Sequence, residues 1–233
     1  MGTSFCSKRA SAGTAMLILL AAALGTPVAQ ADESMQAQID ALRAQVAAMS
    51  GELNYLKDRQ AILDCLKRYT RGADRHDVEL IKSAFWPDAI ISYGRPITVE
   101  EFATWANSLH AAKFVQNQHH VTGQTVDIQG NIAHVESYVV YFLLSNDSTT
   151  GTNTIGSGRY VEQYEKRNGE WRIKIREYIP DVLFEGTTPI EMCPPELGCL
   201  GKRDRSDISY MRPLQPMKDR PKQPGSMPDR KKP

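Results

Sequence analysis

The chain has 233 residues, of which 41% are hydrophobic, and its formal net charge at pH 7 is +1. A hydrophobic fraction of this size can form a core, which excludes a wholly disordered chain. The near-neutral charge gives no electrostatic basis for binding nucleic acid.

The first 31 residues have the pattern of a secretory signal peptide. Lys8 and Arg9 precede an apolar run over residues 15–24, and Ala29-Gln30-Ala31 has the small residues of a cleavage site. We expect cleavage after Ala31 and a periplasmic or secreted mature protein. The apolar run is too short to span a membrane, so no membrane span should remain after cleavage.

Residues 32–57 are predicted to form a coiled-coil-like helix. Their apolar residues recur at alternating steps of four and three, which is the spacing of a coiled-coil seam. An amphipathic helix folded onto its own domain is the alternative. The seam consists of Met35, Ile39, Leu42, Val46, Met49, Leu53 and Leu56.

Three further helical segments follow in the pattern. The first continues over residues 58–71 and should end at Gly72. Asp77 is the expected N-cap of a short helix over residues 78–85. Thr98 and Glu101 have the spacing of a capping box, which predicts a helix that runs to about residue 113.

The period then changes to that of β-strands. Segments rich in Val, Ile, Tyr and Thr predict long strands, and the Asn168-Gly169 pair favours a type I′ hairpin turn. Helices followed by a meander of strands indicate an α+β fold with a curved antiparallel sheet closed by helices into a cone-shaped half-barrel. This domain should cover residues 58–184. The strands are expected at residues 89–93, 119–129, 132–145, 155–166 and 171–181.

Residues 185–233 read as a basic, proline-rich tail. They hold nine of the 13 prolines, and residues 202–233 contain 10 basic against four acidic side chains. A solvated extension and an arm for an anionic partner are both compatible with this composition. The tail is expected to dock near Ile208-Ser209-Tyr210 and Leu214. Cys193 and Cys199 are a candidate local disulfide, with metal binding as the weaker alternative.

His119 and His120 are the first candidates for chemistry. Neighbouring strand residues face opposite sides of a sheet, so one of the two imidazoles must face inward and needs a partner there. Asp74 is the proposed partner, although an aspartate at a helix end can also cap the helix or pair with Arg71 or Arg75.

Aromatic and acidic residues supply further candidates. Tyr69 and Tyr93 could direct phenols into the same cavity, and we expect Trp105, Glu136 and Tyr138 to contact a substrate. The sequence contains no serine nucleophile elbow, no glycine-rich phosphate loop and no metal-spaced cluster.

Several motifs together resemble one known family. The sequence around residues 71–77, Ser83-Ala84-Phe85-Trp86-Pro87-Asp88-Ala89, Gln118-His119-His120, Gly158-Arg159-Tyr160 and Glu170-Trp171-Arg172-Ile173 resembles the SnoaL-like branch of the nuclear transport factor 2-like (NTF2-like) superfamily. The resemblance covers roughly residues 53–183. Within that branch the chain is similar to scytalone dehydratase, bile acid 7α-dehydratase and the γ-hexachlorocyclohexane dehydrochlorinase.

The resemblance implies an elimination reaction with a His-Asp dyad and neither a metal nor an organic cofactor. By position, it assigns the histidine to His119 and the aspartate to Asp74, and it matches the family's active-site tyrosines to Tyr93 and Tyr69. Glu136 stands where the fungal enzyme has a second catalytic histidine, and Pro180 where the bile acid enzyme has an arginine. The trimers of these dehydratases, together with the heptads, suggest a homotrimer, with a dimer as the alternative.

Two functions compete on this basis. The first is an exported, cofactor-independent lyase, of dehydratase or dehydrohalogenase type, or an isomerase that acts on a hydrophobic ring compound. The second is a non-catalytic small-molecule-binding or assembly module, which the two departures from the enzymes favour. A small subunit of a ring-hydroxylating dioxygenase also shares the fold, but export argues against it.

Overall fold

The computed structural model describes residues 27–147, 151–187 and 202–214. The chain divides into two units between Asn54 and Tyr55, and helix α1, Pro27–Asp74, contributes to both. None of the helices in the described ranges combines the length and apolar character that a membrane crossing needs. Cys193, Cys199 and most of the predicted signal peptide lie outside the described residues.

In the first unit, α1 exposes much of its predicted seam. Met35, Leu42, Val46 and Met49 each remain at least 60% exposed. Helix formation over residues 32–57 is confirmed, and coiled-coil pairing of this stripe stays a prediction.

In the second unit, α1 does not end at Gly72 as expected but continues to Asp74. A Cβ atom at Gly72 would lie 2.7 Å from the backbone nitrogen of Ile81, so the glycine allows α2 to approach closely rather than ending α1. Helix α2, Val78–Ser83, has the predicted N-cap Asp77, whose side chain accepts from Leu80 N. The predicted capping box of Thr98 and Glu101 starts α3, Val99–Lys113.

One open six-stranded sheet forms the rest of the domain, in the order β2-β1-β6-β5-β4-β3. The predicted α+β class and curved sheet are confirmed. One detail differs from the expectation, because β1 and β6 pair in parallel while the other pairs are antiparallel. The strands are β1 Phe85–Ser92, β2 Pro96–Ile97, β3 Phe114–Gln129, β4 Ile132–Ser145, β5 Asn153–Arg167 and β6 Glu170–Gly186.

Register shifts in β3 and β6 determine which side chains face the helices. The β3–β4 register shifts by one residue between Thr122 and Thr125, at Gly123, whose φ is +61°. The β5–β6 register shifts between Gln163 and Tyr164. Each bulge reverses the inward and outward alternation on its strand. The buried core against the inner face includes Ile62, Leu66, Phe85, Phe102, Val139, Tyr164, Trp171 and Ile173.

Candidate active site

A hydrogen-bonded His-Asp pair lies where α1 ends against edge strand β3. The Nδ1 atom of His119 is 2.6 Å from Oδ1 of Asp74, and both side chains are largely buried. The backbone N–H of His119 donates to the other carboxylate oxygen, Oδ2, at 3.0 Å. These two bonds fix Asp74 against β3 and leave Nε2 as the ring nitrogen not occupied by the aspartate.

Asn117 supports the same carboxylate from two positions earlier on β3. Its Nδ2 donates to Asp74 Oδ1 at 3.2 Å and to the carbonyl of Ala73 at 3.0 Å, and the residue is fully buried. Asn117 and His119 share one face of the strand because they are two residues apart. Sequence reasoning missed Asn117, although that spacing from the inward histidine was the available signal.

The bulge at Gly123 brings His119 inward. His119 lies opposite Tyr141, with ring centroids 6.1 Å apart, whereas His120 lies opposite Val140 and contacts Phe142 on the other face. Between the bulge and the hairpin turn, the register pairs Gln129 with Ile132. If this register continued along β3 without a shift, His120 would lie opposite Tyr141. A one-residue bulge therefore selects which histidine meets Asp74.

A row of imidazoles extends from His119 toward α2. The ring centroid of His110 lies 5.7 Å from that of His119 and 6.4 Å from that of His76. Burial, with the neighbouring His119 and His76, lowers the pKa of His110 to about 3, so this ring is neutral at pH 7. From the sequence, His110 was interpreted as a helix-end residue without a functional role, although it continues the buried α3 stripe of Ala103 and Ala106.

The phenols form two hydrogen-bonded pairs. Tyr178 Oη donates to Tyr141 Oη at 3.1 Å, and the Tyr69 and Tyr93 oxygens are 3.4 Å apart. The rings of Tyr93 and Tyr178 stack with centroids 5.0 Å apart, which connects the two pairs. Burial raises the pKa of Tyr93 and of Tyr178, so these phenols stay protonated and act as donors at neutral pH.

The predicted substrate contacts Glu136 and Tyr138 do not join this group. On β4 they alternate with Val139 and Tyr141 and lie on the outer face of the sheet, where Glu136 pairs with Arg159 at 3.5 Å. The pleat therefore directs both side chains away from His119, and their contact with a substrate stays a prediction. Trp105 contacts the Tyr93 ring, and both residues line a separate cavity of about 590 Å³ whose wall does not include His119.

A second cavity reaches the dyad. It has a volume of about 350 Å³, lies between α1 and β3, and includes both His119 and His120 in its wall. Its α1 side is lined by Leu63, Leu66, Lys67 and Thr70, so an apolar surface carries one cationic group. Among the described residues, no cluster of His, Cys, Asp and Glu side chains is suited to hold a metal ion.

A buried ion pair lies under the tyrosines. Arg176 and Glu162 have fully buried side chains with Nε 2.6 Å from Oε1, and Tyr164 donates to the other carboxylate oxygen at 2.9 Å. The Arg176 guanidinium lies 3.9 Å from the centroid of the Tyr69 ring. Sequence reasoning missed this pair, because strict alternation from Trp171 and Ile173 predicts that Ile175 and not Arg176 faces inward.

The end of the domain beside Asp74 is covered by the docked tail, which we define as residues 202–214. Arg203 donates from Nε to His76 at 2.8 Å and from Nη2 to the carbonyl of His110 at 3.0 Å. Asp207 pairs with Arg75, and Ser209 accepts from Arg71. Docking near residues 208–210 was expected from the sequence, and the contacts of Ser209 and Tyr210 with Arg71 bear that out, whereas Leu214 remains 65% exposed.

The helices, the open curved sheet and the His-Asp pair together define an α+β protein of the NTF2-like class. The SnoaL-like domain model matches residues 54–177, and the chain belongs to this SnoaL-like family. A search of curated proteins gives no match.

Solved structures agree with the fold. A scytalone dehydratase-like protein from Novosphingobium aromaticivorans is 20% identical, with a TM-score of 0.52, and the match covers 60% of this chain and 97% of that one. A type 2 hexachlorocyclohexane dehydrochlorinase LinA is 19% identical, with a TM-score of 0.55 and coverage of 62% and 98%. LinA type 3 from Novosphingobium barchaimii is 17% identical, with a TM-score of 0.55 and coverage of 61% and 99%.

Proposed function

We propose that the protein is a lyase or isomerase in which His119 removes a proton from carbon and Asp74 orients it. The observation that carries the proposal is the 2.6 Å contact between His119 Nδ1 and Asp74 Oδ1. The similar folds of a dehydratase-like protein and of dehydrochlorinases supply the reaction class. The substrate is a hydrophobic ring compound with a leaving hydroxyl or halide.

The pair suits this reaction because it separates two tasks. Asp74 accepts the Nδ1 proton, which fixes the tautomer and stabilises the imidazolium that forms. Nε2 takes the substrate proton, the C–H electron pair becomes the new double bond, and the leaving group departs with its own bonding pair. A positioned general base of this kind accelerates a reaction by about 10²–10⁴-fold.

The tyrosines supply the electrophilic side. Tyr141 contacts the His119 ring and is hydrogen-bonded to Tyr178, whose raised pKa keeps it protonated at neutral pH. A protonated phenol can donate to a departing oxygen or to a carbonyl that acidifies the C–H bond. Tyr93 stacks on Tyr178 and acts from the same group, whereas Tyr69 is 3% exposed and serves mainly as core.

The test begins with mass spectrometry of small molecules that co-purify with the protein, followed by turnover assays on cyclic alcohols and halides related to them. His119→Ala and Asp74→Asn should each lower kcat by at least about 10²-fold. His134→Ala is the matched control, because this exposed imidazole on β4 lies outside the cavity that His119 lines and its loss should leave turnover unchanged. Turnover that survives both dyad substitutions would refute the assignment.

A small-molecule-binding or assembly module is the second candidate. The packing of Arg176, Tyr69 and Tyr160 between helices and sheet favours it, because these groups occupy core that an internal pocket would need. Ligands that bind with equal affinity to the wild type and to His119→Ala, without turnover in either, would support this candidate over the lyase.

The protein is further proposed to be exported and to assemble as a homotrimer, with a dimer as the alternative. Export follows from the signal-peptide pattern and is tested by N-terminal sequencing of the protein from a periplasmic extract. Assembly is supported by exposed apolar surface on the outer sheet face, including Tyr138, Phe142 and Phe184. A monomer in sedimentation at micromolar concentration would contradict it.

A further inference from the structure

Two arginines flank Asp74, and both are occupied by the docked tail. Arg71 donates to Ser209 Oγ at 3.2 Å, and its guanidinium lies 4.3 Å from the Tyr210 ring centroid. The Nε atom of Arg75 lies 3.4 Å from Oδ1 of Asp207. Either arginine is a natural partner for a carboxylate at this helix end, yet Asp74 bonds to His119 instead.

Asp207 is held firmly as an anion. Its carboxylate accepts from the backbone N–H of Lys202 at 2.6 Å and of Ser209 at 2.9 Å, and the residue is 3% exposed. Burial alone would raise its pKa, but these hydrogen bonds and Arg75 outweigh burial and lower the pKa to about 2. Asp207 is therefore charged at neutral pH, with its geometry fixed by the tail backbone.

Arg75 is also close enough to reach the dyad. Its Nη1 donates to the backbone carbonyl of Asp74 at 3.3 Å, so the guanidinium is already bonded to the residue that carries the carboxylate. A change in side-chain rotamer would bring the same group toward Oδ1 and Oδ2 of Asp74. The ion pair with Asp207 opposes that change.

We propose that Asp207 is a positioning residue that holds Arg75 away from Asp74, so that the carboxylate of Asp74 remains paired with His119. The docked tail is then part of the site rather than a solvated extension. The consequence for catalysis rests on the proposed function, whereas the effect on the state of His119 does not.

The inference fixes the direction of one measurable change. His119 faces Asp74, His110 and Tyr141, and Lys67 lies in the wall of the same cavity; among these Asp74 is the anionic group that favours the imidazolium. If Arg75 moves onto Asp74, it adds a positive charge near the ring and draws the carboxylate away. Both effects disfavour the protonated ring, and the pKa of His119 should fall by about one unit.

The test is a histidine titration by long-range ¹H–¹⁵N NMR on the purified full chain without substrate. Asp207→Asn should lower the pKa of His119, and adding Arg75→Gln to that variant should restore it. Arg205→Gln is the control, because it removes another ion pair between tail and domain, with Asp77, and frees neither arginine beside Asp74. Circular dichroism confirms that each variant is folded.

An unchanged His119 pKa in Asp207→Asn would overturn the proposal, as would failure of Arg75→Gln to restore it. A similar fall in Arg205→Gln would also overturn it, because general loosening of the tail would then explain the effect. The titration is independent of turnover. A protein that titrates as expected but converts no substrate would refute the lyase while leaving the role of Asp207 intact.

Discussion

Neutralising Glu162 should destabilise the domain severely. Glu162→Gln keeps the side-chain volume but leaves the charge of Arg176 unpaired in a position that is fully buried. Contacts of the guanidinium with the rings of Tyr69, at 3.9 Å, and Tyr160, at 4.3 Å, are present in both proteins and cannot offset the loss. Removal of one partner of a buried ion pair costs about 3–5 kcal/mol. Domains of ordinary size are stable by only about 5–15 kcal/mol, so much of the total would be lost.

Urea unfolding followed by circular dichroism at pH 7 measures this effect. Asp181→Asn is the control, because Asp181 forms an exposed ion pair with Arg159 and its loss should leave the midpoint nearly unchanged. The double variant Glu162→Leu with Arg176→Met should recover most of the stability, since an apolar pair removes the stranded charge. If Glu162→Gln lowered the free energy of unfolding by less than about 1 kcal/mol, the charge of Arg176 would have to be stabilised by groups other than Glu162, and the reasoning would be refuted.

Three further predictions follow from the helices and the β3 bulge. In the unfolded chain His110 binds a proton below about pH 6.5, whereas the folded ring resists protonation to about pH 3. Stability should therefore fall by about 1.4 kcal/mol per pH unit as the pH drops through that window, and His110→Phe should reduce the difference between the urea midpoints at pH 7 and pH 5. Gly123→Val should suppress the bulge, because a β-branched residue is strained at a φ of +61°, and regular pairing would then set His120 instead of His119 opposite Tyr141, which abolishes the bond of His119 to Asp74 in ¹H–¹⁵N NMR spectra. Thr98→Ala should cost about 1 kcal/mol in urea unfolding by removing the α3 capping box.

The predictable part of the fold is the part set by local rules. Caps at Asp77 and Thr98 depend on a side chain and the backbone within three residues, and both were correct. The Asn168-Gly169 turn was also correct, and both residues have positive φ. Gly72 misled the helix end because a glycine serves a close contact as readily as a C-cap, and the contact with Ile81 is remote in sequence.

The site was predictable only up to the choice of side-chain faces. Spacing showed that one of His119 and His120 faces inward, but resemblance to a family was needed to choose between them. Alternation correctly placed Glu136 and Tyr138 on one face of β4, but it could not show that this face points away from His119, because nothing local identifies the face that the helices cover. The glycine at position 123, inside a strand pattern, is the one local mark of a bulge in β3.

The bulges explain why polar groups are found in the interior at all. On β3 the extra residue turns His119 rather than His120 toward Asp74, and on β6 a second irregularity turns Arg176 rather than Ile175 toward Glu162. Under strict alternation His119 and Arg176 would each have faced outward, while their partners Asp74 and Glu162 would have stayed on the inner side of the sheet. Pairing therefore depends on a one-residue register shift as much as on the residue type. For this reason Gly123, whose φ of +61° accommodates the bulge, belongs among the positions that determine whether the proposed dyad exists.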